Sequence, residues 1–219
     1  SLKKTGFAGK KFMFTYNGTE EVKKFLTKNN WTVVEKTLNS NLPVHCQRFG
    51  DFYHFIEKQN FNEQILVTDC RDVYFYINPE TIQDQDLYIA PDGLYPLKEH
   101  EWGSKEMKNH YPDQYDSLKN NFHLCSGIFY GSKDKILELC KNTYKRILES
   151  KLYDSNNTSF EAVKLMASAA DQMALNVAAY TDLNYSLDIN NSIINMCETF
   201  WDENITYFIY HQYDRVGNF

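Results

Sequence analysis

The chain has 219 residues, and its hydrophobic content of 42% is enough to bury the core of one large or two small domains. The 29 acidic residues outnumber the 23 basic ones, and no Lys/Arg cluster is present, which excludes DNA or RNA as a main partner. No run approaches about 18 consecutive apolar residues, so the sequence predicts neither a transmembrane segment nor an export signal.

The first part of the chain alternates between strand and helix patterns. Residues 12–15 and the segment WTVVEK predict two strands, and Thr19 is a candidate N-cap of the helix between them. Phe49, Phe52, Tyr53 and Ile56 have helical spacing, and the apolar residues 65–68 then predict a third strand. This order is typical of an α/β fold with a mostly parallel central sheet flanked by helices.

The remaining patterns are less regular. Residues 83–123 contain several Pro and Gly residues, and we expect mostly loops and short elements there. HLCSGIFYGS predicts a strand, and helices are expected over residues 133–151 and 160–180. A final strand at residues 205–210 is expected to end at His211. Five widely spaced cysteines without a Cys-x-x-Cys pair predict reduced thiols, hence a cytoplasmic protein.

Asp69 and Asp72 follow the strand at residues 65–68, where open α/β sheets bind ligands. A bend at Cys70 and Arg71 would bring the two carboxylates together. Arg71 could pair with one of them, and the other would then favour a cation such as Mg²⁺ or Mn²⁺, which also binds phosphate oxygens. The alternative is a turn in which both aspartates cap local N–H groups.

Other polar residues lie beside predicted elements. The sequence HQYDR begins at His211, which could complete a metal shell, and Tyr213 or Arg215 could meet a phosphate; a polar tail is the alternative. Asp171 in an Ala-rich helix is a candidate general base, although the polar edge of an amphipathic helix explains it equally well. Asn17 follows the first strand. In an α/β order it would lie near a bound nucleotide, but Asn-Gly is also a turn signal.

In this order the D-C-R-D, S-G-I-F, D-Q and H-Q-Y-D-R segments resemble a glycosyltransferase of the GT-A fold over nearly the whole chain. Its compact length and Asn/Lys/Tyr-rich sequence further resemble the glycosyltransferases with which large algal (chlorella) viruses decorate their capsid protein. The resemblance implies one GT-A (Rossmann-like) domain over residues 1–219, with a nucleotide-binding half at about 10–80 and an acceptor half at about 81–219. Such a domain could be a fragment of a longer protein, and a viral enzyme would work in the host cytoplasm.

Several site residues are implied by this resemblance. It implies metal ligands at Asp69, Asp72 and His211 and nucleotide contacts near Thr15, Tyr16 and Arg48. It implies sugar or acceptor contacts at Ser126, Gly127, Asp171 and Gln172. The sequence departs from the family pattern at Cys125, where relatives often have Asn, and at Asp92, where many have Glu.

The expected activity is Mn²⁺- or Mg²⁺-dependent transfer of a sugar from a nucleoside-diphosphate sugar, a UDP-sugar first, to a hydroxyl of a glycan or glycoprotein. Asp171 is the first candidate for the base that takes the acceptor proton, and Asp92 is the second. Two alternatives stay open: a non-catalytic glycan-binding module and a phosphatase of the haloacid dehalogenase type. The phosphatase class would need D-x-D-x-[TV] on the first strand, which here ends in TYNGT.

Overall fold

The structure is a computed structural model that describes residues 1–39, 41–154, 163–164, 166, 169–187, 194–196 and 209–211. It is a mixed α/β protein. Its strands are β1 (Phe12–Tyr16), β2 (Thr32–Lys36), β3 (Ile65–Thr68), β4 (Val73–Phe75), β5 (Leu87–Pro96), β6 (Phe122–Gly131), β7 (Ile194–Met196) and β8 (Ile209–His211). Its α-helices are α1 (Glu20–Lys28), α2 (Val44–Lys58), α3 (Glu101–His110), α4 (Pro112–Leu118), α5 (Lys133–Leu148) and α6 (Ala170–Val177).

The alternation predicted for the first part of the chain is confirmed. The elements run β1, α1, β2, α2, β3, and β1 pairs with β2 in parallel. The side chain of Thr19 caps α1 by accepting a hydrogen bond from the Val22 N–H at 3.4 Å. The prediction for α5 is also confirmed, because the helix begins at Lys133.

The predicted mostly parallel sheet is wrong for the part of the chain that the structure describes. There, β6 lies between β3 and β5 and is antiparallel to both, while β8 is antiparallel to β4 and parallel to β7. Only the pairs β1–β2 and β7–β8 are parallel among these residues. Strand patterns in a sequence identify strands but carry little information about their partners, which here are distant in the chain.

The loops expected over residues 83–123 are also wrong, because β5, α3 and α4 occupy most of this segment. Its Pro and Gly residues lie where regular structure tolerates them. Pro91 and Pro96 flank register shifts in the β5–β6 pairing, and Gly93 has a left-handed φ of 117°. Pro112 occupies the first turn of α4, where a missing N–H costs little.

The central strand β6 is buried on both faces between two cores. On one face Phe129 stacks on Phe49 of α2, at a ring-centroid distance of 6.0 Å, within the core that α2, α5 and α6 cover. On the other face Ile128 packs in a second core with Ile209 of β8. The sheet therefore places the middle of β6 between α2 and α6 on one side and β4 and β8 on the other.

Two predicted elements are described only in part. Of the helix expected at residues 160–180, α6 and a π-helical turn at Ala178–Asp182 are described. Of the final strand, β8 is described and contains His211, whereas residues 205–208, Tyr213 and Arg215 lie outside the described residues. No described helix combines the length and the apolar character needed to cross a membrane.

Candidate functional site

Asp69 and Asp72 lie on either side of a bend between β3 and β4. The chain leaves β3 at Thr68, bends at Cys70 and Arg71, and enters β4 at Val73. The bend brings both carboxylates to within 4.8 Å of one another and of His211. The predicted convergence of the two aspartates is therefore confirmed, and these three residues form the first group that could hold a metal ion.

His211 reaches this group because β8 pairs with β4. In the antiparallel register His211 lies opposite Val73, directly after the bend. Its Nε2 atom is 3.4 Å from Asp69 Oδ2 and 3.6 Å from Asp72 Oδ1, while its Nδ1 atom is 3.6 Å from the Cys125 sulfur. With the Nδ1 proton directed at sulfur, the ring can present the lone pair of Nε2 to a cation, as metal-bound histidines do.

Gly127 makes room for the imidazole and the carboxylate. A Cβ atom at this position would lie 2.5 Å from His211 Cε1 and 2.6 Å from Asp69 Oδ2. The backbone N–H of Asp69 also donates to the Gly127 carbonyl at 2.7 Å, which fixes the end of β3 against β6. Glycine at this point of β6 is therefore what allows Asp69 and His211 to approach each other over the strand.

Arg48 of α2 connects the metal-ligand group to α6. Its guanidinium donates to Asp69 Oδ1, to the Ser126 carbonyl at 3.0 Å and to Asp171 Oδ2 at 3.0 Å. The Ser126 hydroxyl donates to the same Asp171 oxygen at 2.9 Å. Arg48 thus occupies the place that the sequence assigned to Arg71, which is exposed and does not line the pocket described below.

The protonation of this group follows from its neighbours. Burial raises the pKa of Asp69, but the contacts with His211 and Arg48 outweigh it and hold the pKa below its usual range. Burial lowers the pKa of His211, but contacts with Cys125 and Asp69 raise it to about 10. Asp69 is therefore ionised at neutral pH, and a metal ion must displace a proton from His211 in order to bind.

Asp92, His100 and His123 form a second group that could hold a metal ion by distance alone. In each imidazole, however, the ring nitrogen that points away from Asp92 faces an N–H donor. Nδ1 of His100 accepts from the Gly103 N–H at 2.9 Å, and Nε2 of His123 lies 3.2 Å from the side-chain nitrogen of Gln172. Both rings therefore carry their proton on the nitrogen that faces Asp92, and the fit to a metal ion is better at the first group.

The first group opens into a pocket of about 370 Å³. Three aspartate carboxylates line it against the guanidinium of Arg48 and the protonated His211, which leaves one negative charge, and two once a metal ion has displaced the His211 proton. A divalent cation would balance this charge. The pocket is lined by His45, Arg48, Asp69, Asp72, Trp102, Cys125, Ser126, Gly127, Ala169, Asp171, Gln172 and His211.

The structure places the expected nucleotide contacts of β1 outside this lining. Thr15 is buried, and its hydroxyl oxygen has no hydrogen-bond partner among the described residues. Tyr16 donates to Asp51 at 2.8 Å, and Asn17 has a left-handed φ of 57° at the exposed end of the strand. Burial, together with Asp51, raises the pKa of Tyr16, so its hydroxyl stays protonated.

His45 and Trp102 also line the pocket, although neither was predicted as a site residue. His45 lies one helical turn before Arg48 on α2, and Trp102 is the second residue of α3, in a segment predicted to be loop. Trp102 is 43% exposed although it is a large aromatic residue, and Nε2 of His45 is buried without a hydrogen-bond partner among the described residues. Helical spacing from Arg48 could have indicated His45.

Neither a protein-family model nor a curated protein sequence matches the chain.

Proposed function

We propose that the protein is a metal-dependent glycosyltransferase that moves a sugar from a nucleoside-diphosphate sugar, a UDP-sugar first, to a hydroxyl of a glycan or glycoprotein. The observation that carries the proposal is the convergence of Asp69, Asp72 and His211, from three strand ends, at the edge of a polar pocket. The resemblance to the capsid-glycosylating enzymes of large algal viruses supplies the acceptor class.

The charges of the pocket support a metal-bridged diphosphate. A diphosphate would be repelled by the net negative charge of the lining, so an acidic pocket needs a cation in order to bind it. Asp69, Asp72 and His211 would hold that ion, which stabilises negative charge on the leaving diphosphate. Mg²⁺ and Mn²⁺ suit a set of two carboxylates and one imidazole with open positions for phosphate oxygens.

The residues around the ion have separate tasks in this proposal. Arg48 holds Asp69 and Asp171 in place, because it donates to both carboxylates from the buried face of α2. Both donors of Asp171 bind Oδ2, which leaves Oδ1 for a hydroxyl in the pocket. In this proposal Asp171 accepts a hydrogen bond from that hydroxyl and remains the first candidate for the base that takes its proton.

Hydrolysis of UDP-sugars, with water in place of the acceptor, tests the proposal without knowledge of the acceptor. We expect release of UDP from at least one of UDP-glucose, UDP-galactose and UDP-N-acetylglucosamine with Mn²⁺, and none after chelation. The matched control is Asp116→Asn, an exposed aspartate that pairs with Lys119 outside the pocket and should behave as wild type. Turnover of p-nitrophenyl phosphate without UDP-sugar hydrolysis would instead indicate a phosphatase.

A further inference from the structure

Buried neighbours hold the side-chain amide of Gln172 in one orientation at the pocket. Its nitrogen donates to Asp92 Oδ2 at 2.8 Å and lies 3.2 Å from His123 Nε2. Because a carboxylate only accepts hydrogen bonds, the group that faces Asp92 is the NH₂ and not the carbonyl. The two N–H bonds are then both used, one toward Asp92 and one toward His123.

The state of His123 agrees with this orientation. The ring is fully buried, and burial together with His100 lowers its pKa to about 3, so the ring is neutral. A neutral ring that accepts at Nε2 carries its proton on Nδ1, and that atom lies 3.5 Å from Asp92 Oδ2. His123 therefore accepts from Gln172 at Nε2, while its Nδ1 faces Asp92 without forming a hydrogen bond to a described residue.

His100 lies on the far side of Asp92. Its Nδ1 accepts from the Gly103 N–H in the first turn of α3, and its Nε2 lies 3.9 Å from Asp92 Oδ2. The rings of His100 and His123 pack edge to face with centroids 4.5 Å apart. If the Gln172 amide turned over, its oxygen would lie 2.8 Å from a carboxylate oxygen of Asp92. Neither oxygen carries a proton, so the two acceptors would repel each other.

The orientation has a consequence for the pocket. Gln172 lines the pocket together with the metal-ligand group, while Asp92, His100 and His123 do not line it. The amide nitrogen is turned toward those three residues, and no described residue donates to the carbonyl oxygen Oε1. Oε1 is therefore the amide atom available to a ligand, and it can only accept a hydrogen bond.

We propose that Asp92, His123 and His100 are positioning residues that keep Oε1 of Gln172 directed at the pocket, where it accepts a hydrogen bond from a hydroxyl of the donor sugar. The inference rests on the proposed function: a sugar attached to a diphosphate at Asp69, Asp72 and His211 would occupy the same pocket. It assigns the second histidine group to substrate specificity and not to a second metal.

The test uses donor analogues in the Mn²⁺-dependent hydrolysis assay. For the donor that wild type hydrolyses best, each sugar hydroxyl is replaced in turn by hydrogen or by fluorine, which cannot donate a hydrogen bond. At one position, replacement by hydrogen and replacement by fluorine should each lower the kcat/KM of wild type by about tenfold to a hundredfold. The reason is that Oε1 loses the hydroxyl that donates a hydrogen bond to it. In Gln172→Met the loss at this position should shrink to about threefold or less.

Asp92→Asn separates positioning from simple packing. An asparagine at this site can donate to Oε1, so the Gln172 amide can turn over and present N–H groups to the pocket. We compare the ratio of kcat/KM for the fluorinated donor to kcat/KM for the normal donor. This ratio should be at least about tenfold higher in the variant than in wild type. Asp92→Ala, which removes the acceptor that holds the NH₂ group, should show the same change and replaces Asp92→Asn if that variant does not fold. His123→Phe removes only the acceptor of the second N–H and should show a smaller change in the same direction. Asp116→Asn should keep the wild-type pattern.

The outcomes distinguish the two proposals. A wild-type protein that hydrolyses no UDP-sugar contradicts the proposed function itself. A wild type that hydrolyses a donor but tolerates every replaced hydroxyl overturns the role of Gln172. If folded Asp92→Asn or Asp92→Ala rejects the fluorinated donor as strongly as wild type, the positioning role of Asp92 is wrong. An unchanged pattern in folded His123→Phe removes that role from His123.

Discussion

The substitution Gly127→Ala tests whether Asp69 and His211 act together at one metal ion. The added methyl would lie 2.5 Å from His211 Cε1 and 2.6 Å from Asp69 Oδ2, well inside contact distance. Gly127 does not have a positive φ, so alanine should fit the backbone of β6. The clash therefore falls on the two side chains, and one or both must move away from the site.

The expected size of the effect follows from these contacts. Overpacking by one methyl typically costs about 1–3 kcal/mol, and here the side chains can relieve it by turning toward the open pocket. Disturbing the geometry of a metal ligand typically costs about tenfold to a hundredfold in metal affinity. We therefore expect weaker Mn²⁺ binding by about that factor, with a smaller loss in the free energy of unfolding.

Gly131→Ala is a matched control in the same strand. Its methyl would lie 2.6 Å from the Asp86 carbonyl oxygen, a comparable clash that does not involve the metal-ligand group. Calorimetric titration with Mn²⁺ and urea unfolding, performed on both variants, separate the two effects. Gly131→Ala should lose stability and keep its metal affinity. Equal Mn²⁺ affinity in Gly127→Ala and wild type would refute the close packing of Asp69 and His211.

Three further predictions concern the charged groups. Asp72→Asn should abolish Mn²⁺ binding with little change in the free energy of urea unfolding. Asp69→Asn should abolish Mn²⁺ binding and also lower the free energy of unfolding by about 1–2 kcal/mol, because Arg48 loses one of its two carboxylate partners. Equal stability of the two variants would contradict this. Because the pKa of His211 is raised to about 10, Mn²⁺ affinity should rise about tenfold per pH unit between about pH 6 and 8, and a flat titration would contradict proton displacement. The pKa of His123 is lowered from 6.5 to about 3, so its contribution to the free energy of unfolding is complete above pH 6.5. Below that pH the contribution is lost by about 1.4 kcal/mol per pH unit. Urea unfolding of His123→Asn should show a weaker loss of stability on acidification than wild type.

Local patterns in the sequence predicted the parts of the site that lie close together in the chain. The bend that joins Asp69 and Asp72 spans four residues, and a strand followed by a polar bend is visible without any tertiary information. The same holds for the start of α5 and for the β1–α1–β2 alternation. In each case the deciding interactions are between near neighbours.

The remainder depends on contacts between distant segments. Arg48 joins Asp69 to Asp171, which is 123 residues away in sequence, and no local pattern distinguishes it from a surface arginine. The antiparallel partners of β6 come from β3 and β5, and the pairing of β8 with β4 fixes the position of His211. The second histidine group likewise forms only when His100, at the start of α3, meets His123 of β6. Sequence spacing does not encode such neighbours.

The most direct test of the central claim is calorimetric titration of the protein with UDP, with and without Mn²⁺, for wild type and Asp72→Asn. The pocket lining carries a net negative charge, and among the described residues Asp72 is the ligand with the fewest other contacts. We predict that wild type binds UDP only when Mn²⁺ is present and that Asp72→Asn binds it in neither condition. UDP affinity that is unchanged by chelation, or by Asp72→Asn at saturating Mn²⁺, would contradict a metal-bridged diphosphate at this site.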